Sequence, residues 1–348
     1  MSTAAPTQAP PLLEVRNVTV DYGTGPGAVR AVHEVDLVIR QGEAVGLAGE
    51  SGSGKSTLAM AITRLLRDPA VIAGGQVMFH GGGDTAPFNV LELDQRALRA
   101  FRWQEVAIVL QSAMNALNPV LNLRAQLTDV LRGREPRLSK QARVDRAGEL
   151  LDIVGVNRDR LGAYPHELSG GMRQRAMIAM AMALQPKLIV MDEPTTALDV
   201  VTQRQILEEL AELRARFGFA MLFITHDLSL LLETADTIAV MYAGRLIEVA
   251  PASDIYRNPA HPYTVGLLGS FPPLSGARRK LTGIPGSPPD LRSLPAGCSF
   301  APRCSFAAED CMRARPELRA PACEPSSDRV VACFHDRAAA DPAPGDAR

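Results

Sequence analysis

A lysine set among glycines and a pair of adjacent carboxylates far downstream are the residues best suited to do chemistry. Gly49-Glu50-Ser51-Gly52-Ser53-Gly54-Lys55-Ser56 fits the pattern G-x-x-x-x-G-K-[ST]. Glycines let a backbone wrap closely around phosphates, and successive N–H groups then point inward. A helix that starts near Lys55 adds its positive end. Ser51, Gly52, Ser53, Gly54, Lys55, Ser56 and Thr57 are therefore the expected phosphate-binding stretch. The Lys55 ammonium reaches the outer phosphates and the Ser56 hydroxyl ligates Mg²⁺. Asp192 and Glu193 end the apolar run Leu188-Ile-Val-Met. Carboxylates beyond the end of a buried parallel strand lie where such sheets bind ligands. Asp192 is expected to hold Mg²⁺, mainly through water, and Glu193 to polarise an attacking water. Together the two motifs point to a nucleotide hydrolase.

Two further groups are chemically capable. Leu168-Ser-Gly-Gly-Met-Arg-Gln-Arg175 places a hydroxyl and two glycine amides at a helix start, a second phosphate-binding surface. The five cysteines, Cys298, Cys304, Cys311, Cys323 and Cys333, all fall in the last 51 residues. In a reducing compartment such a cluster suggests metal, or chance, rather than disulfides. Four thiolates suit Zn²⁺ or an iron–sulfur cluster. The spacings C-x₅-C and C-x₆-C are wider than the close pairs usual for structural zinc.

These groups need a scaffold that brings strand ends together. Glu43 to Ala48, Val106 to Leu110, Leu188 to Met191 and Met221 to Thr225 read as buried strands, and Val35 to Arg40 as a half-buried one. Helical patterns lie between them. Thr57 to Leu66 follows the glycine loop. Ser139 to Val154 has Ser139 as N-cap and Gly155 just past its end. Thr202 to Arg216 carries Ile206, Leu207, Leu210 and Leu213 on one face. Thr237 to Val249 reads as two strands around Ala243-Gly244. This alternation predicts an α/β fold with a mainly parallel sheet covered on both faces. Beyond Tyr256 periodicity fades and Pro, Ser, Gly and Cys become frequent, which places a domain boundary near residue 257. Residues 1–11 and 338–348 read as disordered tails.

Composition narrows the function classes. The 348 residues are 46% hydrophobic with net charge −1, which supports a sizeable core and indicates no general nucleic-acid surface. The apolar run Ala176 to Leu184 is far short of the roughly 20 residues that span a bilayer. The start MSTAAPTQAPP lacks the features of a secretory signal. A cytoplasmic chain is expected.

The order and spacing of the motifs resemble those of ABC ATPases. Leu168 to Met172 resembles their LSGGQ signature with Met in place of Gln. The resemblance implies an ABC-type P-loop NTPase over 12–256, with a RecA-like core, an antiparallel β subdomain and a helical subdomain at about 112–182. A small irregular C-terminal domain over 257–337 would follow. It implies that Ser169, Gly170 and Gly171 bind ATP held on an opposite subunit. Tyr22 then fits the residue that stacks on adenine, and Gln111 the glutamine that approaches Mg²⁺ and the attacking water. Asp199, in Ala197-Leu198-Asp199, fits the loop that communicates across the dimer, and His226 the histidine that contacts the terminal phosphate.

The likeness narrows to the oligopeptide/dipeptide importer branch through Gln111 to Pro119, His166 to Arg175, His261 to Leu268 and Gly297 to Cys304, with Cys311 and Cys333-Phe-His335. It implies a second ATPase subunit, expected to be a paralogue, two membrane permeases and an external solute-binding protein, with this chain on the cytoplasmic face of the membrane. Related members move nickel or oligosaccharides. The contrasting class is a soluble ABC protein of translation or repair, which carries two cassettes or long insertions that are not present here. The family also associates this cysteine pattern with a [4Fe-4S] cluster, on Cys298, Cys304, Cys311 and Cys333, with Cys323 as an alternative fourth ligand. The segment from Gln111 to about Leu138 is expected to face the permeases, with Ala113, Met114, Ala116 and Leu117 as its apolar contact.

Overall fold

The computed structural model describes residues 9–81, 86–110, 117–134, 137–195, 198–270, 283–321 and 329–336. Gln111, Ala113, Met114, Ala116, Ala197 and Cys323 lie outside the described residues.

The chain opens with long strands β1 (Pro11–Tyr22) and β2 (Val29–Arg40), then the short buried β3 (Ala44–Ala48) and helix α1 (Lys55–Ile62). β4 (Ala70–Phe79) and β5 (Phe88–Asn89) follow, then α2 (Gln95–Gln104) and β6 (Val106–Val109). Helices α3 (Leu123–Arg134), α4 (Lys140–Ile153) and α5 (Gly170–Met182) come next. The second half alternates: β7 (Leu188–Asp192), α6 (Val200–Phe217), β8 (Ala220–Ile224), α7 (Leu228–Thr234), β9 (Thr237–Tyr242) and β10 (Arg245–Pro251). After α8 (Ala252–Arg257) and α9 (Pro262–Gly269) the chain is largely irregular, with α10 (Glu309–Arg313) and the two-residue β11 (Val330–Val331).

Two sheets result. An antiparallel sheet runs β2-β1-β4-β5, and a seven-stranded sheet runs β11-β10-β9-β3-β8-β7-β6. Strands β9, β3, β8, β7 and β6 are parallel neighbours. The alternation of strand side chains decides how the large sheet is covered. Leu188, Val190, Leu222 and Ile224 join one core, against α1, α2 and the antiparallel sheet. Ile189, Met191, Met221 and Phe223 join the other, against the helices. All ten residues of β7 and β8 are buried, so these strands read as continuous apolar runs.

Local signals set the helices that matter below. Ser139 caps α4 by accepting from the Ala142 amide at 3.1 Å, and α6 buries Ile206, Leu207, Leu210 and Leu213. Leu117 differs from expectation. It is 2% exposed and belongs to the core beside Leu123 and Leu127. The exposed apolar side chains of this stretch are Val120, at 76%, and Leu121.

The C-terminal segment returns to the large sheet. Val330 and Val331 pair with Val249 and Glu248 of β10. Glu248, wholly buried, bonds the equally buried Arg329 at 2.9 Å and accepts from the amides of Ala260 and His261. Among the described residues, no helix is long and apolar enough to cross a membrane.

Candidate nucleotide site

The glycine-rich loop joins β3 to α1, as a phosphate loop must. Two glycines are forced. Gly49 has φ +147°, and a Cβ there would stand 2.2 Å from the Met241 carbonyl oxygen. Gly54 caps α1 at φ +104°, and its Cβ would stand 2.4 Å from the Ala31 oxygen. The loop is thus pressed between β9 and β2. Lys55 is buried, and its Nζ donates to the carbonyls of Gly49 (2.7 Å) and Glu50 (2.9 Å). Burial lowers its pKa, while Glu193, Asp192 and Glu50 oppose that shift.

The carboxylates arrive from β7. Asp192 accepts a hydrogen bond from the Ser56 hydroxyl at 3.0 Å. Burial raises its pKa, against the Ser56 bond and Lys55. Glu193 adopts φ +47°, a left-handed backbone that costs a non-glycine residue about 1–3 kcal/mol and tends to mark functional positions. Its amide donates to the Ile224 carbonyl at 2.8 Å, and its Oε1 lies 3.1 Å from Nδ1 of His226. Glu50, Ser51, Gly52, Gly54, Lys55, Ser56, Thr57, Glu193 and His226 line one cleft of about 680 Å³. At its side, Tyr22 ends β1 with its hydroxyl 3.2 Å from Oγ1 of Thr57. Sequence reading therefore placed residues from β1, the β3–α1 loop, β7 and β8 in one neighbourhood, and the structure gathers them there. It also adds Leu267, Ser270 and Ile284 as lining residues, none of which sequence reasoning gave a place at the site.

A second surface stands apart from this cleft. Ser169 caps α5 by accepting from the Met172 amide at 3.3 Å. Asp199 caps α6 by accepting from the Thr202 amide and hydroxyl at 3.0 and 2.7 Å, bonds that lower its pKa. Gly171 and Thr202 touch closely, since a Cβ on Gly171 would stand 2.8 Å from Cγ2 of Thr202. Ser169, Gly170, Gly171 and Asp199 are not among the cleft's lining residues. Val200 and Val201, next to Asp199, are 79% and 68% exposed.

The profile of the ABC transporter family matches residues 32–196, and that of the oligopeptide/dipeptide transporter C-terminal region matches 247–311. A chain of Brucella melitensis described as a peptide import ATP-binding protein is 46% identical over 318 residues, 88% of this chain and 93% of that one. The chain belongs to the ABC transporter family of ATP-binding proteins. The oligopeptide transport ATP-binding protein OppD of Salmonella typhimurium is 42% identical and covers 96% of each chain. A dimeric ATP-binding cassette in a post-hydrolysis state, bound to ADP and Pi, superposes with a TM-score of 0.61 at 28% identity, over 69% of this chain and 99% of that one.

The C-terminal segment brings its cysteines together. Cys298, Cys304, Cys311 and Cys333 line one small cavity with His261 and His335. Burial, followed by the neighbouring cysteines, raises the Cys333 thiol to about 12. Asp310, Cys311 and His335 place one ligand atom each within 4.8 Å of one another, a group that the cysteine spacings alone did not indicate.

Proposed function

We propose that this chain hydrolyses ATP between two paired cassettes and thereby powers peptide uptake through separate membrane subunits. The convergence of Lys55, Ser56, Glu193 and His226 on one cleft, with Asp192 bonded to Ser56 behind it, supports the chemistry. The loop amides and the N-terminus of α1 receive the phosphates. Lys55 exchanges the carbonyls of Gly49 and Glu50 for phosphate oxygens. Hard oxygen donors at Ser56 and Asp192 fit Mg²⁺, which when bound neutralises phosphate charge; Gln111 is assigned as a further oxygen donor. Glu193 takes the proton of the attacking water, and His226 orients Glu193 and contacts the terminal phosphate. Tyr22 stacks on adenine. Ser169, Gly170 and Gly171 serve the nucleotide of the opposite cassette, since they stand outside this chain's own cleft, and Asp199 links the two sites. Exposed Val120 and Leu121 favour this edge as the contact with the permeases, which hold the chain at the cytoplasmic face. The peptide cargo rests on the C-terminal match and on the names of the relatives. Glu193→Gln tests the assignment. ATP binding should persist while turnover in the assembled transporter falls about 100-fold or more. Turnover near the wild-type rate removes Glu193 from the base role.

We further assign the cysteine cavity to a [4Fe-4S] cluster on Cys298, Cys304, Cys311 and Cys333. The donor set fits. Burial, and then the neighbouring cysteines, raise the Cys298 and Cys333 thiols, a cost that a bound cationic centre reverses, and Cys304 Sγ accepts from the Phe306 amide at 3.4 Å. The compact Asp310, Cys311 and His335 group favours a second reading, zinc. Anaerobically purified protein should be coloured and carry iron and sulfide. Stoichiometric zinc with no iron supports the second reading instead, and a metal-free protein rejects both.

A further inference from the structure

Glu50 is the second residue of the phosphate loop, and it is held from the far end of the chain. Nη1 and Nη2 of Arg303 bond its two carboxylate oxygens at 2.6 and 2.9 Å. The amide of Glu50 donates to the Tyr263 hydroxyl at 2.9 Å. Arg303 is fixed in turn, since its Nε donates to the Pro285 carbonyl at 2.8 Å and its Nη1 to the Tyr242 hydroxyl at 3.3 Å. Its side chain is only 6% exposed, so this is no loose surface pair of the kind that contributes little. Tyr263 is wholly buried. The carbonyl of Glu50 meanwhile accepts from Lys55 and from the Ser53 amide. Side chain, amide and carbonyl of one loop residue are therefore all engaged.

We propose that Arg303 is a positioning residue for the nucleotide, holding the phosphate loop through Glu50 in the shape that receives ATP. The proposal rests on the reading of the cleft as an ATP site. Its physical basis is preorganisation. A loop that must order around phosphates gives up conformational entropy at the moment of binding, and a loop already held gives up less. The Glu50 carbonyl is also one of the resting partners of Lys55, so fixing Glu50 fixes where the ammonium starts. Arg303 ends the short helical turn Ala301–Arg303 that lies between Cys298 and Cys304, and that turn is closed by the Ala301 amide on the Cys298 carbonyl. The clamp is thereby rooted in the wall of the cysteine cavity.

The test is equilibrium binding of Mg²⁺–ATP to the full chain, with steady-state kinetics in the assembled transporter. Arg303→Met and Glu50→Gln are each expected to weaken ATP binding about tenfold, and the double variant little further, because both remove one interaction. KM should rise with kcat within about threefold of wild type, since the chemistry of Glu193 is untouched. Arg303→Lys should restore part of the affinity. Glu50→Gln acts from the loop side, so it remains informative if Arg303→Met disturbs the C-terminal fold. Wild-type affinity in Glu50→Gln, or losses that simply add in the double variant, overturns the clamp. A wild-type chain that binds no ATP overturns the nucleotide site itself.

Discussion

At the scale of single residues, the cleft combines buried charged groups with a strained backbone. Lys55 is buried on backbone carbonyls, Asp192 is buried with a raised pKa, and Glu193 holds a left-handed backbone. The Ser56 hydroxyl, next to Lys55, meets Asp192 because β3 and β7 are parallel and end at the same end of the sheet. The Ser56 hydroxyl and the Asp192 carboxylate, 3.0 Å apart, are the oxygen pair proposed for Mg²⁺. Ser56→Ala removes one proposed ligand and leaves Asp192 buried without that hydrogen bond. The Mg²⁺ concentration for half-maximal turnover should rise about tenfold or more, with ATP affinity in the absence of metal changed much less. An unshifted Mg²⁺ titration would take Ser56 out of the metal site.

At the scale of elements, the caps of α5 and α6 build one exposed ridge from Ser169, Gly171, Asp199 and the two valines that follow. Two neighbouring apolar side chains this exposed at a helix start suit burial against a second cassette. Val201→Arg places a cation at the positive end of α6 and on the ridge. In a Glu193→Gln background with ATP, the dimer seen by size-exclusion chromatography should weaken about tenfold, while the monomer keeps its melting temperature. A dimer of unchanged strength would remove the ridge from the interface. The elements themselves were unevenly legible. The apolar stripe of α6 and the runs of β3, β7 and β8 could be read because burial on one or both faces leaves a plain period. β1 and β4 gave no such reading from their own residues: β4 is exposed over Gly74 to Gln76, and the antiparallel sheet was expected through family likeness. Leu117 misled because a short apolar stretch after a strand looks the same whether it meets a partner or its own core.

At the scale of the whole molecule, the C-terminal segment, among the described residues, joins the large sheet only through the two-residue β11 and is otherwise held mainly by side-chain chemistry, which is why its packing was not legible. Arg303 and Glu50 are 253 positions apart, and Arg329 and Glu248 are 81 apart. No local pattern announces such pairs. The Arg329–Glu248 pair decides whether the segment stays docked, because Glu248 also binds the amides that lead into α9. A buried ion pair adds little net stability over an apolar pair, yet removing one partner strands a buried charge at a cost of about 3–5 kcal/mol. Arg329→Met should therefore lower the melting temperature by roughly 10 °C and expose residues 283–336 to limited proteolysis before the cassette. Adding Glu248→Gln removes the stranded charge and keeps one carbonyl oxygen as acceptor for one of the two amides, so the double variant should melt above Arg329→Met. A double variant that melts lower, by the sum of the single losses, would mean that the two side chains stabilise the segment independently. Release of this segment would also free Arg303, so ATP affinity in Arg329→Met should fall with it, and the dependence should vanish in a Glu50→Gln background, where the clamp is already lost.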